Sequence, residues 1–376
     1  MGRFFITSIA YTPGTALTNR LLGFVRGLSE SGVKTNVCFF APDSQCHKIT
    51  SEFNNVAVRY YWGRHHRTSF GRILSLIKGY SIFLRQLRAG DTVLILGQAD
   101  LLHFLVKRKD IHVFHECTEH PDVYLPANRF FCISPEVYYS DCAKVEHLFV
   151  ISQGLKNLFI NKGADPNKID IVNIIVEPSR FDTIRDKASF PKTVSYCGTI
   201  SNRKDGVDIL IRAFAIVVKD HPDAKLYLIG NTPSEKDKVI NLSIIDSLGI
   251  SRNVIFVGAV SPDRMPTLLK ESAILALARP DNIQAQFGFP TKLGEYLMTG
   301  RPVVLTNVGD ISIFLKDKQS AMVVNAGDYE AFAERIIWCM NNPEKAEKIG
   351  KEGEKIALKE FNYSSETQKI INYLSI

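Results

Sequence analysis

Short apolar runs alternate with amphipathic stretches of helical period, and the alternation is laid down twice along the chain. In the first series Arg3–Ile9 reads as a strand, followed by a loop through Pro13-Gly14 and a helix over Leu17–Ser31 that stops at Gly32. Further strands are expected at Lys34–Ala41, Val56–Trp62, Thr92–Gly97, His112–His115 and Leu148–Ser152. Helices are expected at Phe70–Leu87, where Phe70, Ile73, Leu74, Ile77, Leu84 and Leu87 share a face, and at Gly154–Gly163. A strand that is followed by a helix before the next strand must cross over, so both series predict parallel sheets with right-handed crossovers.

The pattern resets after Val172–Pro178. The polar stretch Ser179–Lys192 carries Asp182, Arg185, Asp186 and Lys187, and Thr193–Gly198 opens the second series. There the strands Lys225–Gly230, Val254–Gly258, Ile274–Ala278 and Pro302–Thr306 alternate with helices Gly206–Lys219, Ser234–Leu248 and Tyr329–Asn341. A chain of 376 residues exceeds one ordinary α/β core. We therefore expect an N-terminal Rossmann-like domain over 1–178, a second over 191–358, and a C-terminal helix over 359–376 packing back on the first. Ligands of such domains sit outside the carboxyl ends of the strands.

Composition narrows the partners only mildly. The chain is 45% hydrophobic and 23% charged, as globular proteins are, and its net charge of +7 favours anionic partners such as nucleotide phosphates or an anionic membrane. The seven cysteines are scattered without a CxxC pair and several lie in apolar runs, which reads as reduced thiols in a cytoplasmic protein. No apolar run is long enough to span a bilayer. The opening MGRFFITSIAYTPG reads as a strand and loop rather than a signal peptide.

The segment Phe287–Pro302, FGFPTKLGEYLMTGRP, carries the clearest chemistry. Thr291 reads as an N-cap, Leu293, Tyr296 and Leu297 as the apolar face of a short helix, and Gly300 as its stop. The first turn of such a helix leaves backbone N–H groups free to seat a diphosphate, Lys292 adds a charge there, and Glu295 suits the two hydroxyls of a ribose. An ordinary capped helix with a favourable early Glu fits this segment equally well. Earlier, Tyr196–Phe214 runs from a strand through Gly198 and the basic pair Arg203-Lys204 to Gly206 and an amphipathic helix. That is a second place suited to phosphates.

Taken together, Gly198 with Arg203–Val207, Leu226–Gly230 (LYLIG), Val257–Val260 and FGFPTKLGEYLMTGRPVV at 287–304 resemble the retaining glycosyltransferases of family 4. The resemblance spans most of 193–310 in the family's order and implies an α/β, GT-B type fold, two Rossmann-like βαβ domains facing a central cleft. It implies that Glu295 binds the donor ribose, that Arg203 or Lys204 together with Lys292 neutralises the diphosphate, and that Val260 contacts the base. Gly198, Phe287, Gly288, Thr291 and Leu293 complete the implied donor site, and Gly14-Thr15 is the implied first-domain loop over the phosphates. No metal or other cofactor is implied, because cationic side chains and a helix N-terminus take the leaving diphosphate. One position departs from the family: eight residues before Glu295 stands Phe287, not a second Glu. Ala285 takes that place when the Phe-Gly pair is the anchor, which leaves Asp281, Gln284 and Gln286 as alternatives for holding the sugar.

Two stretches stand outside this set. IHVFHECTEHP (111–121) mimics a zinc-protease motif, but His115 and His120 are five apart and Pro121 follows, so a strand ending at His115 with a loop beyond fits better. The resemblance makes His115, with Glu116 or Glu119, a candidate for the sugar or acceptor side of the cleft; a hydrogen-bonded structural histidine is the equal alternative. Arg64–Arg88 sets Arg64, His65, His66, Arg67, Arg72, Lys78, Arg85 and Arg88 around an apolar helical face. A core helix with a solvated basic face is the preferred account, and peripheral attachment to an anionic membrane is the alternative. No platform interleaves aromatics and bases for nucleic acid.

The expected activity is retaining transfer of a sugar from a nucleotide-sugar donor to a hydroxyl of a glycan or lipid-linked acceptor. The setting is cell-surface polysaccharide or glycolipid synthesis, in the cytoplasm or at the inner face of the plasma membrane. A nucleotide-sugar epimerase of the same plan and a non-catalytic nucleotide-binding protein are the rivals. A dinucleotide-dependent dehydrogenase is disfavoured, since no GxGxxG follows the first strand of either half.

Overall fold

The computed structural model describes residues 2–41, 49, 52–61, 69–125, 133–182 and 192–374. It divides into two compact units, Met1–Asn173 with Tyr363–Ile376, and Ile174–Asn362. The reset of the strand-helix pattern predicts the change-over at 178–191, with the returning segment from 359. Contacts place it earlier, because Ile174 and Val176 already lie over Gly294 and the Val176 N–H donates to Phe361 O, both deep in the second unit.

The first unit holds seven parallel strands: β1 (Phe4–Ser8), β2 (Thr35–Phe39), β3 (Val56–Tyr60), β4 (Thr92–Leu96), β5 (His112–Cys117), β6 (His147–Val150) and β7 (Ile169–Ile171). Their order is β3-β2-β1-β4-β5-β6-β7. The chain winds outward from β1 to β3 and then restarts beside β1 with β4, so a topological switch lies between β1 and β4. Central strands such as β4, TVLIL, carry no polar alternation, because helices cover both faces of the sheet. The helix Tyr363–Ile371 packs against Ala16–Glu30, and Gly27 makes the close approach possible: a Cβ there would stand 2.6 Å from the Thr367 hydroxyl.

A buried ion pair ties the same helix to the sheet. Arg20 Nε donates to Glu116 Oε1 at 2.7 Å, and its remaining nitrogens donate to Val172 O and Asn173 O. Both side chains are almost fully excluded from solvent.

The second unit is a six-stranded parallel sheet of β8 (Thr193–Cys197), β9 (Lys225–Ile229), β10 (Val254–Gly258), β11 (Ile274–Leu277), β12 (Val303–Asn307) and β13 (Met322–Asn325), in the order β10-β9-β8-β11-β12-β13. Its switch lies between β8 and β11. The helix Val207–Asp220 buries Leu210, Ile211, Phe214 and Val217 at helical spacing and packs against Tyr329–Asn341.

The expected strands and long helices recur within a residue or two, with informative exceptions. β5 continues through Cys117 instead of ending at His115, since the whole run is buried and pairs on both edges. The strands β7 and β13 and the helices Ala99–Leu105, Pro135–Cys142 and Pro343–Glu360 were not anticipated. The two strands are too short to show a period of their own and exist because a neighbouring strand offers its edge. Arg64, His65, His66, Arg67, Arg185, Asp186, Lys187, Cys46 and Cys132 lie outside the described residues.

Removing one member of the Arg20–Glu116 pair strands a buried charge, so Arg20→Ala is expected to cost about 3–5 kcal/mol. Urea denaturation is the measurement, and Arg20→Met combined with Glu116→Leu should cost less than the single change.

Candidate active site

The switch point of the second unit gathers most of the residues singled out above. Gly198 ends β8, Arg279 follows β11, and the helix Thr291–Met298 begins nearby. Two contacts from Tyr296 lock that helix to the end of β8: its hydroxyl accepts from Cys197 N–H at 2.6 Å and donates to Cys197 O at 3.1 Å. Gly300, at φ 68°, closes the helix in the left-handed region.

The helix start differs from expectation. Its N-cap is Pro290, and Thr291 is the first helical residue with no side-chain cap bond. Proline suits this entry because it lacks an N–H that would need a partner. Leu293 is fully buried, so its side chain supports the helix from the core and does not face a ligand.

Lys292 is the electrostatic centre. Its Nζ donates to Asp205 Oδ2 at 2.5 Å and to the Tyr196 hydroxyl at 2.9 Å, and it stands 4.6 Å above the Tyr196 ring. The Tyr196 hydroxyl lies 2.7 Å from the same Asp205 oxygen. Arg279 approaches the other carboxylate oxygen at 3.8 Å. Burial by itself would raise the Asp205 carboxyl, but the Lys292 ammonium and the hydrogen bonds outweigh it and hold the group below its ordinary value. Burial draws the Lys292 ammonium below the usual lysine value, and Asp205 opposes that pull.

Gly198 is required here by conformation, and a side chain would also crowd Lys292. At φ 144°, a Cβ would stand 2.5 Å from Lys292 Nζ and 3.1 Å from the Tyr196 hydroxyl. Gly206 is required by conformation and space together: φ is 63°, and a Cβ would meet Ala278 O at 2.0 Å.

Arg203 and Lys204 sit exposed on the single turn Asn202–Asp205. Asn282 Nδ2 donates to Arg203 O at 2.8 Å, and Arg279 Nε reaches Lys204 O at 3.4 Å, so the loops after β8 and β11 are joined. Asn282 also caps the turn Ile283–Phe287, which ends at the half-buried Phe287 and the buried Gly288. Glu295 lies one turn into the 291–298 helix and accepts from Arg180 Nη1 at 2.5 Å; Arg180 Nη2 donates to Pro262 O. Val260 is half-buried just beyond β10.

The first-unit residues are placed otherwise. Gly14, at φ 80°, and Thr15 form an exposed loop after β1, and the Thr15 side chain caps Ala16–Glu30 by accepting from Thr18 N–H. His115 is no ligand-facing residue. It is wholly buried in β5, Nδ1–H donates to Ile95 O at 3.1 Å, and Nε2 accepts from the Tyr138 hydroxyl at 2.8 Å. Burial brings its pKa down to about 4, so the ring is neutral. Glu116 beside it is taken by Arg20, and Glu119 lies past the strand end.

Arg180 and Arg279 escaped sequence reading, and Tyr196 and Asp205 entered it only as members of motifs, without a role. Only Arg279 carried a legible signal, standing directly after a strand at the switch point. Among the described residues no group of three His, Cys, Asp or Glu side chains is arranged to hold a metal.

Residues 191–342 match the family model described as glycosyl transferases group 1. The match lies wholly within the second unit, Ile174–Asn362. Among curated proteins, this chain is 26% identical over 195 residues to a D-inositol 3-phosphate glycosyltransferase of Rhodococcus jostii, covering 48% of this chain and 41% of that protein. It is 23% identical over 263 residues to the putative glycosyltransferase EpsD of Bacillus subtilis, covering 66% and 64%. The chain thus spans well under half of the inositol phosphate relative. Among solved structures, Anabaena HepE in complex with UDP-glucose superposes with a TM-score of 0.77 at 18% identity, covering 99% of both chains. That likeness shows the fold, which is GT-B.

Two measurements test this geometry. Asp205→Ala should destabilise the second unit by about 3–5 kcal/mol in urea, because it leaves Lys292 buried beside no carboxylate; Tyr196→Phe should cost only about 1 kcal/mol. In the first unit, His115 binds its proton near 6.5 when unfolded and near 4 when folded. Its contribution is therefore present above pH 6.5 and lost as pH falls toward 4, by about 3 kcal/mol, and His115→Gln should flatten that slope.

Proposed function

We propose that the chain is a retaining glycosyltransferase that moves a sugar from a nucleoside-diphosphate sugar to a hydroxyl acceptor, glycan or lipid-linked. The single observation that carries this reading is the meeting of Lys292, the 291–298 helix start and the exposed pair Arg203-Lys204 at the β8/β11 switch, one turn from Glu295. The family match over 191–342 and the likeness to a UDP-glucose complex support the same assignment.

In this reading the diphosphate lies against Lys292 and the first turn of the helix, and Arg203 or Lys204 covers its outer oxygens. As the glycosidic C–O bond breaks, negative charge grows on the β-phosphate, and these groups stabilise it where it develops. Asp205 and Tyr196 keep the Lys292 ammonium aimed and protonated. Glu295, oriented by Arg180, accepts from the ribose hydroxyls, and Val260 borders the base. The acceptor hydroxyl attacks from the face the leaving group vacates and passes its proton to the departing phosphate. The cations take the place a divalent metal would otherwise fill, so turnover should survive a chelator.

Thermal shift against the nucleoside diphosphates and their sugars tests the site directly, since a ligand stabilises the folded state as ln(1 + [L]/Kd). One base should stand out, and Lys292→Ala should weaken its diphosphate roughly 100-fold, the loss of a charge-assisted contact of about 2–3 kcal/mol. Glu295→Gln should weaken nucleosides and diphosphates alike. Release of nucleoside diphosphate only when an acceptor is present identifies transfer; donor consumption without acceptor would indicate an epimerase, and stabilisation without turnover a binding protein.

A further inference from the structure

The first unit carries an apolar face that the transfer reading does not use. The helix Ser69–Gln86 turns two sides to different surroundings. Leu76, Phe83 and the nearby Leu87 are buried in the core. Phe70, Leu74 and Ile77 point the other way, spaced four and three residues apart as one helical stripe, and Phe70 is 70% and Ile77 43% exposed. Ile82, on a neighbouring line, is also exposed.

A cavity of about 520 Å³ opens beside this stripe. Ile77, Leu84, Leu87 and Phe104 give it apolar walls, and Arg85 and Arg108 also line it. Arg108 is held by Asp110, with both nitrogens at 2.6 Å, and donates to Leu84 O. Lys78, Arg85 and Arg88 are exposed on and just after the helix. Between Glu52 and Asp91 the sequence contains no acidic residue at all. No acid from that interval offsets these bases, and Asp110, paired with Arg108, is an exposed carboxylate at the cavity's edge.

Exposed apolar side chains in a row, an apolar-walled cavity and a predominantly cationic surround are together complementary to one kind of surface. We propose that this face docks on an anionic phospholipid bilayer, with Phe70, Leu74 and Ile77 entering the acyl boundary and the cavity receiving an apolar chain. The cations then face the lipid headgroups, their stems lying along the apolar stripe. This inference is independent of the donor site and of the chemistry proposed for it.

Sedimentation of the whole chain with vesicles tests it, in the absence of nucleotide. Vesicles of phosphatidylcholine mixed with phosphatidylglycerol should carry the protein down, and pure phosphatidylcholine should not. Removing Lys78 and Arg85 together, each to Ala, should weaken association roughly 25-fold, about fivefold for each cation near the surface. Ile77→Glu should abolish it while the urea midpoint stays at the wild-type value. Phe70→Ser, at the most exposed position, serves as the second variant should Ile77→Glu fail to fold. Equal binding to neutral vesicles, or none to anionic ones, overturns the proposal. So does a dimer in solution that Ile77→Glu disperses without any vesicle binding, since that would assign the face to a second copy of the chain.

Discussion

The ion pair between Lys292 and Asp205 is the contact on which the second unit's site depends. It joins the start of the 291–298 helix to the turn after β8, and both groups are withdrawn from bulk water. A charge so placed is tolerable only with a partner and hydrogen bonds in place. Tyr196 supplies a hydrogen-bonding hydroxyl and a ring face, Gly198 supplies the missing Cβ, and Arg279 supplies a second cation near the carboxylate. Each has a residue type that its place in this cluster explains. Under the proposed reading the same lysine serves twice, since a cation already oriented and largely desolvated needs little reorganisation to receive a phosphate.

Sheet topology decides that these residues meet at all. In each unit the strand order reverses beside the first strand, and the loops that leave the reversal point diverge, opening a crevice at the carboxyl ends. In the second unit the crevice is furnished by the loop after β8, the loop after β11 and the 291–298 helix. Asn282 and Arg279 tie the two loops through the carbonyls of Arg203 and Lys204, which fixes the backbone beneath two exposed cations. The corresponding loop of the first unit, at Gly14-Thr15, caps its own helix. The first unit instead buries its titratable groups: His115 is neutral between a carbonyl and a tyrosine, and Glu116 is matched by Arg20. Exposed basic side chains thus stand in two separate places, on the turn after β8 in one unit and along an apolar-striped helix in the other.

Much of this was legible in the residues before any coordinates. Strand-helix alternation, its reset, and the stop signals at Gly32 and Gly300 are local properties, and both glycines adopt the positive φ that such stops use. The Lys292 and Glu295 spacing on one short helix is equally local. What failed was also systematic. Thr291 looked like a cap because threonine often is one, but Pro290 takes that place. The family resemblance made His115 a candidate beside an equal structural reading, and β5 runs two residues further and encloses it. Leu293 belonged to the right motif and to the wrong face of the helix.

The sequence by itself determined the fold class, the two-part organisation and the segment that seats the cations, since helical period, strand length and turn residues act over a few neighbours. Only the tertiary structure decided the partners. Asp205 meets Lys292 across 87 positions, and Arg180 meets Glu295 across 115. Such pairings follow from strand order and crossover geometry, which no local pattern encodes. For the same reason Phe70, Leu74 and Ile77 read as core by their period, and only the packed sheet shows which side of their helix the core occupies.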